Sequence, residues 1–337
     1  MKKLRVLVLM HPSLVPPESR DGYSEKEAYA WKTEFDVVTT LRRIGHEVRP
    51  LGVQEELAPI RRAVAEWKPH VVFNLLEEFH YQQEFDQHVV SYLELLHARY
   101  TGCNPRGLVL ARNKSLAKKV AHYHRVRVPR FAVVRMGRKP RLPESLTYPL
   151  IVKCLAKEGS FGISQSSIVD TDEKLVERVR FVHERLEDHA LVEEFIEGRE
   201  LYVGVLGNHR LQVLPVWELV FENLAPGSQA IATEQAKHNP EYQERRGIYQ
   251  QPAEGLPPAV VAELQRTTKR LYRHLELDGY ARIDYRLKAD GTLYFLEANP
   301  NPDIAESAEF ASAALHDGLE YPELLTKILS LGMSRGQ

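Results

Sequence analysis

Residues 280–298 leave the chain the fewest options. Two apolar runs, 280–287 and 292–298, flank Ala289-Asp290-Gly291, a short turn signal, so the segment reads as a β-hairpin. Asp284 stands six residues before Asp290 and Glu297 seven after it, so antiparallel pairing brings the two carboxylates together. Glu297 and Asn299 are two apart and share a face, and Arg282 converges on it. Hard oxygen donors grouped in this way suit Mg²⁺ bound together with nucleotide phosphates, which makes Asp284, Glu297 and Asn299 the candidate metal ligands. The bland alternative is an exposed hairpin with ordinary polar ends.

Arg282-Ile-Asp284 on one strand and Leu296-Glu297-Ala-Asn299 on the next resemble the magnesium hairpin of the ATP-grasp superfamily, in its D-alanine–D-alanine ligase branch. The resemblance implies ATP as the nucleotide. It also implies two Mg²⁺ ions, with Mn²⁺ as a substitute, on Asp284, Glu297 and Asn299. Arg282 would face the transferred phosphoryl group.

A chain of 337 residues has room for two or three domains. Lys+Arg 45 against Asp+Glu 46 leaves a formal charge of −1, which gives no global electrostatic case for nucleic acid or an anionic membrane as partner. Two cysteines, Cys103 and Cys154, make no disulfide framework, so a reduced, cytoplasmic setting is expected. Lys2-Lys3 and the apolar run 4–10 look like the start of a signal peptide. The run stops at His11-Pro12, however, and a buried first strand is the better reading. No apolar run reaches the length of a membrane span.

That first run is continuous, as in a parallel sheet covered on both faces. Ser24-Glu25-Lys26-Glu27 has the capping-box pattern, opening a helix that can run to Gly45. A strand at 46–51, a helix at 55–67, a strand at 70–75 and a helix at 84–97 follow. The alternation makes an α/β unit, with its functional loops at the carboxyl ends of the strands. Ser24–Glu27 resembles the family segment whose glutamate grips the ammonium of the first amino-acid substrate, which implies that role for Glu25. An ordinary acidic residue in a first helical turn is an equal alternative. Phe73-Asn74-Leu75 and Tyr100-Thr101-Gly102 also match. Two departures would alter the first-substrate pocket. Tyr29 stands where the family has serine, and Glu77–Glu84 replaces a glycine-rich acidic loop.

A loop containing Pro105 and Gly107 precedes a helix opened by Asn113-Lys114, and a strand at 130–135 begins a second domain. The strand 150–153 ends in Lys153, and Lys157-Glu158-Gly159-Ser160-Phe161-Gly162 follows. Its glycines and serine let backbone amides approach a polyphosphate, and lysine compensates charge. Gly-x-x-Gly alone is more often a mere turn. The whole constellation resembles the mobile ATP-grasp loop. The resemblance implies phosphate contacts from Glu158, Gly159, Ser160, Phe161 and Gly162, with Lys114 and Lys153 as the two nucleotide-binding lysines. Residues 190–203 read as strand, Glu-Gly turn, strand. The family's equivalent edge reads adenosine, implying backbone contacts at Phe195 and Ile196, Glu193 near the adenine amino group and Glu200 on the ribose. Two surface acids are the alternative. The polar stretch 222–251 has the length of a functional lid. Lys237 falls where the family carries a lysine for the γ-phosphate.

After Asn299 the chain departs again. Asp303 occupies the place of a family glycine whose N–H helps stabilise the tetrahedral intermediate, and the family's serine for the second substrate's carboxylate falls on or beside Ala308. Asp303 keeps the N–H and adds a carboxylate, so Asp303 or Glu306 is expected to meet a cationic amine.

The fold class expected is α/β, becoming α+β in the ATP-grasp part. An N-terminal parallel-sheet domain (1–104) precedes a two-lobed ATP-grasp domain, with the phosphate loop in a central lobe (105–199) and the metal site in a C-terminal lobe (200–337). The resemblance implies an ATP-dependent carboxylate–amine ligase working through an acyl phosphate on small molecules, with altered substrate specificity. A homodimer is the default assembly. A genuine D-alanine–D-alanine ligase, an ATP-binding regulatory module without ligation and an ATP-grasp kinase remain open.

Overall fold

The computed structural model describes residues 3–157 and 159–335, and of residue 238 the backbone only. Glu158 of the phosphate loop lies outside the described residues. Strand β1 (Arg5–Met10) runs parallel to β2 (Glu47–Gly52) and β3 (Val71–Asn74), in the order β2-β1-β3. The continuous apolar run of β1 has its reason in two covered faces. Val6, Val8 and Met10 enter one core cluster, Leu7 and Leu9 another.

The helix expected from Ser24 to Gly45 is two helices. Glu25–Ala30 carries the Ser24/Glu27 capping box, and Lys32–Arg43 follows Trp31, which leaves helical geometry at φ −117°, ψ 23°. The break lies at the residue whose indole turns inward, against Tyr23 and Phe35. The segment expected as a loop around Pro105 is also a helix, Pro105–Arg112. Asn104 caps it by accepting from the amides of Arg106 and Gly107, and proline takes its first turn. Gly107 marks close packing, since a Cβ there would stand 2.5 Å from Cys103 Sγ and 2.8 Å from the Glu276 carbonyl oxygen.

A central antiparallel sheet holds β4 (Phe131–Val134), β5 (Leu150–Cys154), β6 (Ile168–Val169) and β7 (Ala190–Glu194), in the order β4-β7-β5-β6. It shares a separate core with the helix Asp172–Arg185. The third sheet is antiparallel, ordered β10-β9-β8-β11-β12. Its strands are β8 (Arg199–Leu206), β9 (Gln212–Phe221), β10 (Ile248–Pro252), β11 (Tyr280–Leu287) and β12 (Leu293–Pro300). The helix Pro258–His274 covers one face of it, and the helices Pro105–Arg112 and Lys114–Tyr123 pack against β12. Strands β7 and β8 belong to different sheets, so residues 195–198 bridge the two.

The polar stretch 222–251 holds two short helices, Glu234–His238 and Pro240–Arg246, as well as β10, and buries Ile231, Ala232, Ala236 and Ile248. Turn-rich composition hid these apolar anchors. The helix Tyr321–Met333 returns to the first sheet, where Leu324, Leu325, Ile328 and Leu329 share a cluster with Val6, Val8, Val71 and Phe73. Among the described residues no helix is long and apolar enough to cross a membrane.

Candidate active site

The hairpin that constrains the chain pairs as its spacing requires, with one addition. Leu287 opposes Leu293, Arg286 opposes Tyr294 and Tyr285 opposes Phe295. The register then shifts, so that Asp284 opposes Glu297 and Arg282 opposes Asn299. The inserted residue is Leu296, a β-bulge that absorbs the difference between six residues on one side of Asp290 and seven on the other. Without it Asp284 would face leucine.

Strand alternation then lays out the site. Ala281, Ile283 and Tyr285 enter the apolar core, while Tyr280, Arg282, Asp284 and Arg286 share the opposite face. Arg286 donates to Glu200 Oε2 at 2.6 Å and to the Gly198 carbonyl at 2.7 Å, and Tyr202 Oη donates to Glu200 Oε1 at 2.8 Å. Arg282 grips Asp284 with two N–H groups, at 2.8 and 2.9 Å, pairs with Glu309, and lies 4.8 Å over the Tyr202 ring. Burial alone would lower the Arg282 pKa; Asp284 more than reverses this and raises it. Asn299 donates its amide nitrogen to Asp284 Oδ2 at 3.0 Å.

A cleft opens between the central and third sheets. Lys114, Lys153 and Lys237 line it opposite Asp284 and Glu297. Burial works against ionisation of Glu297, yet Lys114, Lys237, Lys153 and Arg282 together hold its carboxyl down at about 2. Lys114 Nζ stands 3.7 Å from Glu297 Oε2 and donates to the Lys157 carbonyl at 2.7 Å.

Glu193, expected beside the adenine amino group, lines the cleft together with Phe195 and Ile196. It is 1% exposed, with Lys153 Nζ 2.7 Å from one oxygen and Lys118 Nζ 3.1 Å from the other, the second contact off good hydrogen-bond direction. It is the counter-ion of two lysines, and they hold its carboxyl low although burial opposes this. Lys118, one helical turn after Lys114, also donates to the carbonyl of bulge residue Leu296. The Phe195 amide donates to the Pro149 carbonyl at 3.1 Å.

The phosphate loop has left-handed backbone at Gly159, Ser160 and Gly162 (φ 66°, 60° and 68°). At Gly162 a Cβ would also stand 2.3 Å from Leu186 Cδ1. The loop is clasped to the 222–251 segment. The Gly162 amide donates to Glu234 Oε2 at 2.9 Å, the Glu234 amide to the Ile163 carbonyl at 3.0 Å, and Gln165 and Gln229 bond reciprocally at 2.9 Å each. Phe161 lies under Lys157 Nζ, 4.7 Å from its ring centre.

Among the described residues no group of three or more His, Cys, Asp or Glu side chains is placed to hold a metal. Asp284, Glu297 and Asn299 are two cross-strand carboxylates and an amide. That donor set fits Mg²⁺, which binds proteins through one or two carboxylates and takes further oxygens from phosphates and water.

Asp303 is exposed and accepts from Thr33 Oγ1 at 2.7 Å and from the Ala305 amide at 2.9 Å. Lys32 donates to Ser307, and the Glu306 amide to Asp36 Oδ2 at 3.0 Å. Glu25 is exposed at the first position of its helix. Lys118, Arg286, Tyr202 and Glu309 escape a reading of motifs. Helical spacing from Lys114 and strand alternation from Asp284 were the signals for the first two; Glu309 has no local signal.

A sequence model of the D-ala D-ala ligase C-terminus matches residues 114–330. The D-alanine–D-alanine ligase of Bordetella petrii is 35% identical over 241 residues, 71% of this chain and 69% of that protein. That of Desulfotalea psychrophila is 31% identical over 261 residues, 75% of this chain and 76% of that protein. The crystal structure of D-alanine–D-alanine ligase from Bacillus anthracis complexed with ATP superposes with a TM-score of 0.74 at 20% identity, covering 98% and 97% of the two chains, and so shares the fold. The chain belongs to the D-alanine–D-alanine ligase family, ATP-grasp ligases that form a C–N bond.

Proposed function

We propose that this ligase activates a small carboxylate as an acyl phosphate and couples it to an amine, with at least one substrate other than D-alanine. The carrying observation is the ordered face of β11, on which Arg286, Asp284 and Arg282 lead from the Glu200 end of the cleft toward Asp303. Lys114, Lys153, Lys237 and the amides of 159–161 would bind the phosphates. Glu200, held by Arg286 and Tyr202, would take the ribose, and the Ile196 amide the adenine. Asp284, Glu297 and Asn299 would hold Mg²⁺, which supplies charge neutralisation on the phosphates when bound.

The donor's carboxylate oxygen attacks the γ-phosphorus, and ADP leaves. The amine nitrogen then attacks the acyl carbon. The C–N bond forms as the C–O bond to phosphate breaks, and a proton is lost from nitrogen. Arg282, fixed by Asp284, Glu309 and the Tyr202 ring, faces the developing oxyanion. The clasp between the phosphate loop and Glu234 excludes water from the acyl phosphate. Free, buried thiols at Cys103 and Cys154 accord with a cytoplasmic setting.

The test is Mg²⁺-dependent phosphate release from ATP, scanned over D- and L-amino acids and simple amines, singly and in pairs. Release driven by a pair other than two D-alanines supports the reading. Release driven by D-alanine alone returns the chain to dipeptide synthesis, the reading favoured by the names of its relatives.

A further inference from the structure

The extra residue of the hairpin has to be held from outside it. Leu296 has no partner on β11, and β12 is the last strand of its sheet, so no further strand lies beyond it. A bulge disrupts its ladder locally and re-aims the side chains around it. Here Leu296 and Glu297, consecutive in the chain, both line the cleft. The Leu296 carbonyl oxygen accepts from the Lys118 ammonium, on the helix Lys114–Tyr123 that packs against β12.

Lys118 is 1% exposed. An ammonium so deeply buried is costly unless its surroundings answer it. Besides Leu296 it has Glu193 Oε2 at 3.1 Å, and it stands 5.9 Å from the centre of the Phe295 ring. Glu193 belongs to β7 of the central sheet and Leu296 to β12 of the third. One side chain therefore joins the two sheets that wall the cleft. Lys114, one turn earlier on the same helix face, stands 3.7 Å from the Glu297 carboxylate. The helix meets the Glu297 side chain with one lysine and the backbone just before it with the next.

We propose that Lys118 is a positioning residue for the metal site. By holding the Leu296 carbonyl it fixes the bulge, and hence the direction in which Glu297 presents its carboxylate beside Asp284. It acts through Glu297 and touches neither metal nor substrate. The proposal rests on the reading of Asp284, Glu297 and Asn299 as the Mg²⁺ ligands.

The test reads metal binding itself. Mn²⁺ is titrated into the full chain held in excess over ADP, and free Mn²⁺ is followed by electron paramagnetic resonance. ADP affinity in EDTA is measured alongside by calorimetry. Lys118→Met keeps the length and loses the donor, and should weaken Mn²⁺ binding about ten- to a hundredfold, as is usual for groups that orient a metal ligand. Glu193→Gln removes the charge that Lys118 answers but keeps the donor to Leu296. Its Mn²⁺ affinity should stay within about threefold of wild type while its ADP affinity in EDTA falls. If Lys118→Met fails to fold, the double variant Lys118→Met/Glu193→Gln takes its place, because it removes both charges together and strands neither. Its Mn²⁺ binding should weaken as far as that expected of Lys118→Met. Mn²⁺ affinity unchanged when Lys118 is replaced, or lowered as much by Glu193→Gln alone, overturns the positioning role and leaves the metal ligands standing. Wild-type protein that binds ADP but no Mn²⁺ overturns the metal ligands and the positioning role together.

Discussion

Glu34→Gln should stabilise the folded protein at neutral pH. The buried carboxyl is raised to about 8 from 4.5. The folded chain therefore keeps a proton at Glu34 that the unfolded chain releases above about pH 4.5. A pKa raised by folding contributes stability that is complete below the unfolded value and is lost as pH climbs through the folded one. Between those limits wild type loses about 1.4 kcal/mol per pH unit from this group, hence about 3 kcal/mol by pH 7 and on the order of 5 kcal/mol above pH 8. Glutamine matches the protonated acid in size and neutral polarity and does not titrate, so its burial cost largely cancels. The variant should equal wild type near pH 4.5 and exceed it by about 3 kcal/mol at pH 7. Urea unfolding of both proteins at about pH 5, 7 and 8.5 checks this through the difference in unfolding free energy. A difference that does not change with pH, or a variant less stable than wild type at the highest pH, refutes the reasoning.

Lys118→Met leaves Glu193 with Lys153 alone and frees the Leu296 carbonyl; breaking a buried pair should cost about 3–5 kcal/mol in stability, read by denaturant unfolding, and weaken ATP binding. Asp284→Asn and Glu297→Gln should each lower phosphate release by about a hundredfold or more, with the Mg²⁺ concentration for half-maximal rate shifted upward, as expected of groups that touch the metal and phosphates. Chelation of Mg²⁺ with excess EDTA should abolish release, and Mn²⁺ should restore it. Gly162→Ala must move Leu186 and hold a left-handed backbone with a Cβ. About 1–3 kcal/mol of strain should appear as a raised KM for ATP, with thermal stability of the rest little changed.

Much of this molecule could be read from residue order, because the governing signals are local. The alternation in 280–298 and its Asp-Gly turn place Asp284 opposite Glu297, and the unbroken apolar run of β1 announces a sheet covered on both sides. Non-local features were out of reach. The Leu296 bulge shows in sequence only as an odd count about Asp290. Trp31 breaks a helix because its indole packs between Tyr23 and Phe35. Pro105 reads as loop but starts a helix, because Asn104 caps it. Glu193 shows no sign in sequence of the partners the fold gives it, Lys118 and Lys153 at its two oxygens. Glu34 looks like any helical glutamate, and only its burial in the fold makes it a carboxyl that holds its proton at neutral pH.

The return of helix Tyr321–Met333 to the first sheet also sets a timetable for synthesis. The face formed by Val6, Val8, Val71 and Phe73 is partly covered early, by Lys32–Arg43. Its remaining cover, Leu324 to Leu329, is made roughly 250 residues after β3. At about 5–20 residues per second the nascent chain carries that half-finished layer for tens of seconds. Over this interval the first-made sheet is a target for holding chaperones, and its last layer locks only when the helix arrives.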